Sequence, residues 1–114
     1  KEIKKFTAIA HEIKLDVIVE THTKKELIDA LTLDNVLIGI NNRNLNNMKV
    51  NINNSIELID ALPKNLNFIC ESGINSLEDI KNLLKHGFRT FLIGEYLMKK
   101  SDPKITLKKI FNII

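Results

Sequence analysis

The sequence contains a single cysteine, Cys70, and no tryptophan, and these shortages exclude several classes of protein. One thiol forms no internal disulfide and supplies no zinc site built from thiolates. With only 5% aromatic residues, the core must consist mainly of isoleucine, leucine and valine. The chain also lacks a secretory signal pattern and an apolar run long enough to span a bilayer. We therefore expect a cytoplasmic protein that does not associate with membranes.

Positive charge is in modest excess, with a net charge of +3, but it is not concentrated anywhere. Lysine and glutamate alternate along the helical stretches, and no basic block is interleaved with aromatic residues as a nucleic-acid platform requires. The three histidines, His11, His22 and His86, are scattered without the spacing of metal ligands. Cys70 lies at the end of an apolar run, and a buried hydrophobic side chain is a simpler interpretation of it than a nucleophile. We predict neither a metal site nor nucleic-acid binding.

The length of 114 residues predicts one domain over residues 1–114. Lys1 already lies in a helical pattern and is not methionine, so we expect the chain to be part of a longer protein. Short β-branched runs predict strands at 15–20, 36–40, 66–70 and 90–94. The patterns also predict six helices. The first covers residues 1–14, the second begins at the Thr23–Glu26 capping box, and the third ends before Pro63. The fourth runs from Ser76 to Gly87, a short fifth covers 95–99, and the sixth begins at Pro103.

The predicted order is therefore a helix followed by four βα units, which implies a parallel sheet with right-handed crossovers. Nearly continuous apolar strands are typical of a sheet covered on both faces. Two α/β architectures fit this pattern, a small doubly wound sheet and half of a (β/α)₈ barrel. In both of them, ligands bind at the carboxyl ends of the strands.

Polar residues and glycines follow each predicted strand at that same position. They are Glu20, Asn41 with Asn42, Glu71-Ser72-Gly73, and Gly94-Glu95. A carboxylate ending an apolar strand is either a general base or a solvated acid, and Asn41 either orients a substrate or forms a turn. Gly73 and Gly94 allow backbone N–H groups to approach an anion, as in barrels that bind phosphate after strands seven and eight beside a short extra helix. Residues 95–99 have the length for that helix.

Four segments resemble the fifth to eighth strands of the indole-3-glycerol phosphate synthase family, in the family's order. They are residues 16–23 (DVIVETHT), 38–45 (IGINNRNL), 71–74 (ESGI) and 91–98 (FLIGEYLM). The resemblance implies the C-terminal half of a (β/α)₈ TIM barrel. It further implies ring closure of 1-(2-carboxyphenylamino)-1-deoxyribulose 5-phosphate with loss of carbon dioxide and water, in tryptophan biosynthesis and without a cofactor.

The resemblance also implies a role for each residue at the strand ends. Glu20 is the general base or an electrostatic partner, Asn41 positions the substrate, and Glu71 with Ser72 lines the pocket. The backbone amides of Gly73, Gly94 and Glu95 hold the substrate phosphate. Asn44 and Tyr96 depart from the aspartate and serine that are usual in the family, and Tyr96 either crowds the phosphate or packs outward.

The family's first four strands, with a Glu-x-Lys segment and the general-acid lysine, have no counterpart in this chain. We therefore expect the chain alone to be inactive, with its open strand edges near Val17 and Phe91 closed by the missing N-terminal half-barrel or by a second copy. Two alternatives stay open. One is another phosphate-binding barrel, such as phosphoribosylanthranilate isomerase or a histidine-pathway barrel, against which the segment Asn41-Asn42-Arg43 argues. The other is a non-catalytic, phosphate-binding half-barrel.

Overall fold

The computed structural model describes residues 2–63 and 66–114, and the predicted alternation of helices and strands is confirmed within them. Lys1, predicted to belong to the first helix, lies outside the described residues. The elements are α1 (Glu2–Glu12), β1 (Ile18–Thr21), α2 (Lys24–Ala30), β2 (Leu37–Asn41), α3 (Asn53–Asp60), β3 (Ile69–Glu71), α4 (Leu77–Lys85), β4 (Thr90–Leu92), α5 (Glu95–Met98) and α6 (Pro103–Phe111).

The four strands form one parallel sheet in the order β1-β2-β3-β4. A doubly wound sheet reverses its strand order at a switch point, whereas a barrel adds each strand beside the preceding one. The sequential order therefore excludes the doubly wound alternative among the described strands. What remains is a run of four neighbouring βα units, as found in one half of a (β/α)₈ barrel.

Strands β1, β3 and β4 are shorter than the apolar runs that predicted them, β2 has the predicted length, and the first three strands begin later than predicted. Pairing sets these limits, because Ile18 is the first residue of β1 that is in register with β2, opposite Leu37. The predicted run from residue 15 to residue 17 therefore leads into the strand without belonging to it. The carboxyl ends of β1, β2 and β3 extend one residue further than predicted, to Thr21, Asn41 and Glu71, while β4 ends two residues earlier.

The helix boundaries follow the capping residues in the sequence. The hydroxyl of Thr23 accepts a hydrogen bond from the Glu26 N–H at 3.2 Å, and the Glu26 carboxylate accepts one from the Thr23 N–H at 3.2 Å. The predicted capping box is thus confirmed. Ser76 caps α4 through the Asp79 N–H at 3.0 Å. Gly87, just beyond α4, has φ +104°, a conformation that favours glycine at a helix end.

The hydrophobic core lies on the helix-covered face of the sheet. Val19, Ile38, Ile40 and Cys70 alternate along the strands and pack there with the helix residues Leu27, Ala30, Ile59, Ile80 and Leu83. The alternate positions Ile18, Leu37 and Leu92 point to the opposite face and are 49%, 53% and 56% exposed. The expectation that both faces are covered is therefore wrong for the described residues, in which the helices cover only one face.

The two ends of the sheet, β1 and β4, each have a single neighbouring strand among the described residues. These are the open edges predicted near Val17 and Phe91. The apolar side of α1 is exposed as well, through Ile3, Phe6, Ile9 and Ile13. Apolar surface is thus exposed both on the uncovered face of the sheet and on the first helix. None of the helices formed by the described residues is both long and apolar enough to cross a bilayer.

Candidate active site

Three of the predicted site residues meet on the uncovered face of the sheet. Register places Glu20 opposite Gly39, and Asn41 opposite Glu71, so that all three side chains emerge on the same face near the carboxyl ends of β1, β2 and β3. The Asn41 amide nitrogen donates a hydrogen bond to the Glu20 carboxylate at 3.2 Å. Its amide oxygen accepts one from the Arg43 N–H at 2.9 Å, which fixes the orientation of the amide. Asn41 therefore forms a turn and also faces Glu20, while its role in orienting a substrate stays a prediction.

Glu71 is the most deeply buried charged side chain of the site, with 2% of its surface exposed. Its carboxylate oxygen Oε1 is buried and has no hydrogen-bond partner among the described residues. Neither Glu20 nor Glu71 forms a salt bridge within residues 2–63 and 66–114. Two carboxylates thus lie side by side without a cation.

Burial, the nearby charge of Glu20 and a hydrogen bond with the Glu20 carboxyl group together raise the pKa of Glu71 to about 7, and burial is the largest of these causes. A carboxyl group with such a pKa exchanges protons near neutral pH, as acid–base chemistry requires. The sequence analysis placed Glu71 among the catalytic residues, as one that lines the pocket. It did not predict the raised pKa, because the burial of Glu71 and its proximity to Glu20 on β1 are visible only in the fold.

We expect the Glu71 carboxyl carbon of the 114-residue chain to titrate near pH 7 in a carbon-13 NMR experiment. The folded state holds this proton more tightly than the unfolded state does. The resulting stabilisation is fully present below about pH 4.5, the ordinary value, and is lost as the pH rises through about 7. For a group this buried, its size reaches about 3 kcal/mol, which urea unfolding at pH 4.5 and pH 8 measures.

The variant Glu20→Gln should lower the pKa of Glu71, because it removes the neighbouring charge. It should not restore the ordinary value, since burial is the larger cause. Glu78→Gln, an exposed change on α4, is the matched control and should leave the Glu71 titration unchanged. A Glu71 carboxyl that titrates near pH 4.5 in the unaltered chain would show that Glu71 is neither buried nor held against Glu20.

Gly39 belongs to this site, although the sequence analysis did not select it. A β-carbon at position 39 would overlap the Glu71 Oε1 atom and lie 2.6 Å from its Cδ atom. Gly39 therefore provides the space in which the Glu71 carboxylate lies over the sheet. The sequence did contain a signal for this role of Gly39, since glycine inside a strand often marks the close approach of another group.

The predicted anion-binding residues line a cleft of about 300 Å³ beside the two carboxylates. Its lining includes Ser72, Gly73, Gly94, Glu95, Tyr96 and Arg43. Ser72 and Gly73 are both in the left-handed region, with φ +63° and +79°. A β-carbon at Gly94 would meet nothing within 4 Å among the described atoms, so the backbone there is open to approach.

Charged side chains border this cleft. The Glu95 carboxylate contacts Lys99 Nζ at 2.6 Å and Arg43 Nη2 at 3.5 Å. The pKa of Glu95 is lowered mainly by its hydrogen bond with Lys99, so its side chain is engaged with these cations. Arg43 thus connects the loop after β2 to α5. Tyr96 is buried in the wall of the cleft, with Lys100 Nζ 4.6 Å from its ring centre, and does not pack outward.

The long loop after β2 is ordered by its own asparagines. The Asn44 amide oxygen accepts hydrogen bonds from the backbone of Asn46 and Asn47 at 2.9 and 3.4 Å. An aspartate oxygen would accept the same bonds, so the departure from the family's usual aspartate has little structural consequence. An antiparallel bridge between Arg43 and Val50 closes the loop.

The remaining candidates take structural positions. Cys70 is fully buried, and burial raises the pKa of its thiol, which confirms the prediction of a core residue. His11 contacts the Asn35 carbonyl at 3.0 Å and His86 contacts Asp60 at 2.9 Å, both on the surface. His22 lies 3.7 Å from Glu26. Within the described residues, no three histidine, cysteine or carboxylate side chains converge in a way that would hold a metal ion.

The fold and this edge of the sheet define a class, that of parallel βα proteins with neighbouring carboxyl groups and a glycine-lined cleft at the carboxyl ends of the strands. Comparison with known proteins narrows the class. The sequence model described as indole-3-glycerol phosphate synthase matches residues 1–110. The chain belongs to this family.

Relatives with the same description come from several bacteria. The protein of Legionella pneumophila (strain Paris) is 49% identical over 105 residues, covering 92% of this chain and 41% of the relative. That of Polynucleobacter asymbioticus is 42% identical over 104 residues, covering 91% and 39%. That of Campylobacter hominis is 41% identical over 102 residues, covering 90% and 39%. The chain thus spans about two fifths of their length, and its parallel sheet matches the C-terminal part of the family's barrel.

Proposed function

We propose that the complete protein carrying this chain is a lyase that closes the indole ring of 1-(2-carboxyphenylamino)-1-deoxyribulose 5-phosphate, releasing carbon dioxide and water. The observation that carries the proposal is the meeting of Glu20, Asn41 and Glu71 beside a cleft suited to phosphate. Family membership supplies the reaction, which needs no cofactor. The proposal includes a cytoplasmic location and a place in tryptophan biosynthesis.

Glu20 is the proposed general base, because it is the carboxylate at this edge that is open to a substrate lying on the uncovered face of the sheet. Asn41 is oriented by the Arg43 N–H and positions the substrate next to Glu20. Glu71 and Ser72 line the same pocket, and Glu71 is poised to exchange a proton near neutral pH. The backbone amides of Gly73, Gly94 and Glu95 hold the phosphate in the adjacent cleft.

The two carboxylates need a cation, and none of the described residues forms a salt bridge with either of them. Loss of the carboxyl group and of water also requires an acid for the departing oxygen and a positive charge for the developing anion. Among the described lysines, none lies at the carboxyl end of a strand, and Lys24, Lys25, Lys49 and Lys99 lie on helices or loops. The resemblance places the required lysines on the first and third strands of the barrel.

We therefore propose that the chain is a single (βα)₄ unit over residues 1–114, contributing strands five to eight, and that an N-terminal half-barrel closes it. The exposed apolar side chains Ile18, Leu37 and Leu92 become the interior of the closed barrel. A second copy would also cover both edges, but it would bring two more carboxylates and no lysine to the centre. This charge argument favours the N-terminal half as the partner.

The test compares the complete protein with the 114-residue chain, using the anthranilate-derived substrate. We expect the complete protein to release carbon dioxide and form the indole ring at equal rates, and the chain alone to do neither. Inorganic phosphate should inhibit competitively. A folded complete protein that leaves this substrate unchanged, or a chain that is as active alone, would refute the proposal.

A further inference from the structure

Asn42 follows Asn41 directly, and its side chain is almost completely buried, with 3% exposed. The sequence analysis named it only as a polar residue after the second strand, yet its amide contacts β3, the turn after β3 and α3. Its nitrogen Nδ2 lies 3.2 Å from the Glu71 carbonyl oxygen, 3.1 Å from the Ser72 carbonyl oxygen and 3.3 Å from Cys70 Sγ. Its oxygen Oδ1 accepts a hydrogen bond from the Ser55 N–H at 3.1 Å, in the first turn of α3.

The backbone of Asn42 reinforces these contacts. Its N–H donates to the Glu71 carbonyl at 2.8 Å, and its carbonyl accepts from the Asn51 N–H at 3.1 Å. The residue thus joins the end of β2, the turn after β3, the end of the asparagine-rich loop and the start of α3. An amide suits this position because it supplies two donor hydrogens and an acceptor within one short side chain.

The turn that Asn42 holds has an unfavourable backbone conformation. Ser72 and Gly73 are consecutive residues with positive φ, and serine rarely adopts this region unless its surroundings impose it. The two carbonyls that Asn42 binds belong to the peptide units Glu71–Ser72 and Ser72–Gly73. In a planar trans peptide the C=O and N–H bonds point in opposite directions. Turning both carbonyls toward Asn42 therefore turns the N–H groups of Ser72 and Gly73 away from it, on the side of the turn where the cleft lies.

We infer that Asn42 is a positioning residue that aims the backbone N–H groups of Ser72 and Gly73 at the phosphate of the substrate. The inference rests on the proposed function and extends it to a residue that does not itself touch the substrate. The donor hydrogens of the amide hold the two carbonyls in place, so a side chain of the same shape without these hydrogens does not position the turn.

The test is Asn42→Asp in the complete protein, which keeps the shape but places a carboxylate oxygen against two carbonyl oxygens. We expect KM and the inhibition constant of inorganic phosphate to rise together by about tenfold, corresponding to the loss of well-aimed hydrogen bonds, with a smaller change in kcat. Amide NMR shifts of Ser72 and Gly73 should respond to phosphate in the unaltered protein and much less in the variant.

Two controls separate positioning from stability. Asn67→Asp makes the same change at an exposed amide before β3 and should leave KM and phosphate inhibition unaltered. Ile59→Val weakens the core beneath α3 and should lower the thermal midpoint without changing either constant. If Asn42→Asp behaves like Ile59→Val, Asn42 is only structural and the inference is wrong.

Further outcomes are equally decisive. If Asn42→Asp does not fold, the test uses Asn42→Ser, which retains one donor. This variant should raise KM and the inhibition constant of phosphate to a smaller extent. Unchanged constants would overturn the inference. An unaltered protein that neither binds phosphate nor turns over the substrate contradicts the proposed function itself. An active, phosphate-sensitive protein whose Asn42 variants keep their phosphate affinity contradicts the positioning role alone.

Discussion

Replacing Glu20 with glutamine in the complete protein should lower kcat by about 10²- to 10⁴-fold, the usual contribution of a positioned acid or base. The glutamine side chain still accepts the hydrogen bond from Asn41 Nδ2, so the geometry of the pair is retained while the proton acceptor is lost. Glu20 is exposed on the uncovered face of the sheet, and folding should be unaffected. Ring closure and carbon dioxide release, measured across pH, check the prediction.

The matched control for Glu20→Gln is Glu57→Gln, the same change at an exposed position on α3. It should have nearly normal kcat and the same unfolding midpoint as the unaltered protein. If Glu20→Gln is also nearly normal in kcat, Glu20 takes no part in proton transfer and the assignment passes to Glu71. If Glu20→Gln unfolds, its circular dichroism spectrum reports this, and Glu20→Asp then tests the distance dependence of the same base.

The second large effect is expected from Gly39→Ala, a change that adds one carbon atom. The added Cβ takes the place of the Glu71 carboxylate, which must move away from the sheet. Because that carboxylate is the far end of a flexible side chain, stability should change by less than about 1 kcal/mol. A displacement of about 1 Å at a reacting centre typically lowers the rate about 10²-fold, and we expect a loss of this size in kcat.

A double-mutant cycle with Glu71→Ala shows whether Gly39→Ala acts through Glu71. If it does, Gly39→Ala should cost nothing further in a protein that already lacks the Glu71 carboxylate, so the two effects should not add. Additive losses would mean that the methyl group disturbs the substrate directly. The pKa of Glu71 in the 114-residue chain gives an independent reading, since a carboxylate displaced toward water should titrate at a lower pH.

Much of the architecture could be predicted from local patterns. The capping box at Thr23 and Glu26, the cap at Ser76 and the glycine at position 87 set helix limits through contacts between residues close in sequence. The four βα units follow from short β-branched runs alternating with amphipathic stretches. The ends of the strands were predicted less accurately, because pairing with a neighbouring strand sets them and that strand is distant in sequence. Ile18 begins β1 only because Leu37 lies opposite.

By itself, the sequence determined which residues stand at the carboxyl ends of the strands, because a strand-to-helix change is visible locally and every parallel strand presents the same end. Only the tertiary structure decided how those residues act on one another. The raised pKa of Glu71 beside Glu20, the space that Gly39 leaves, and the hydrogen bonds from Asn42 to the turn at Ser72 and Gly73 all depend on contacts across neighbouring strands. Such contacts arise from burial and register, and neither is determined until the strands have paired.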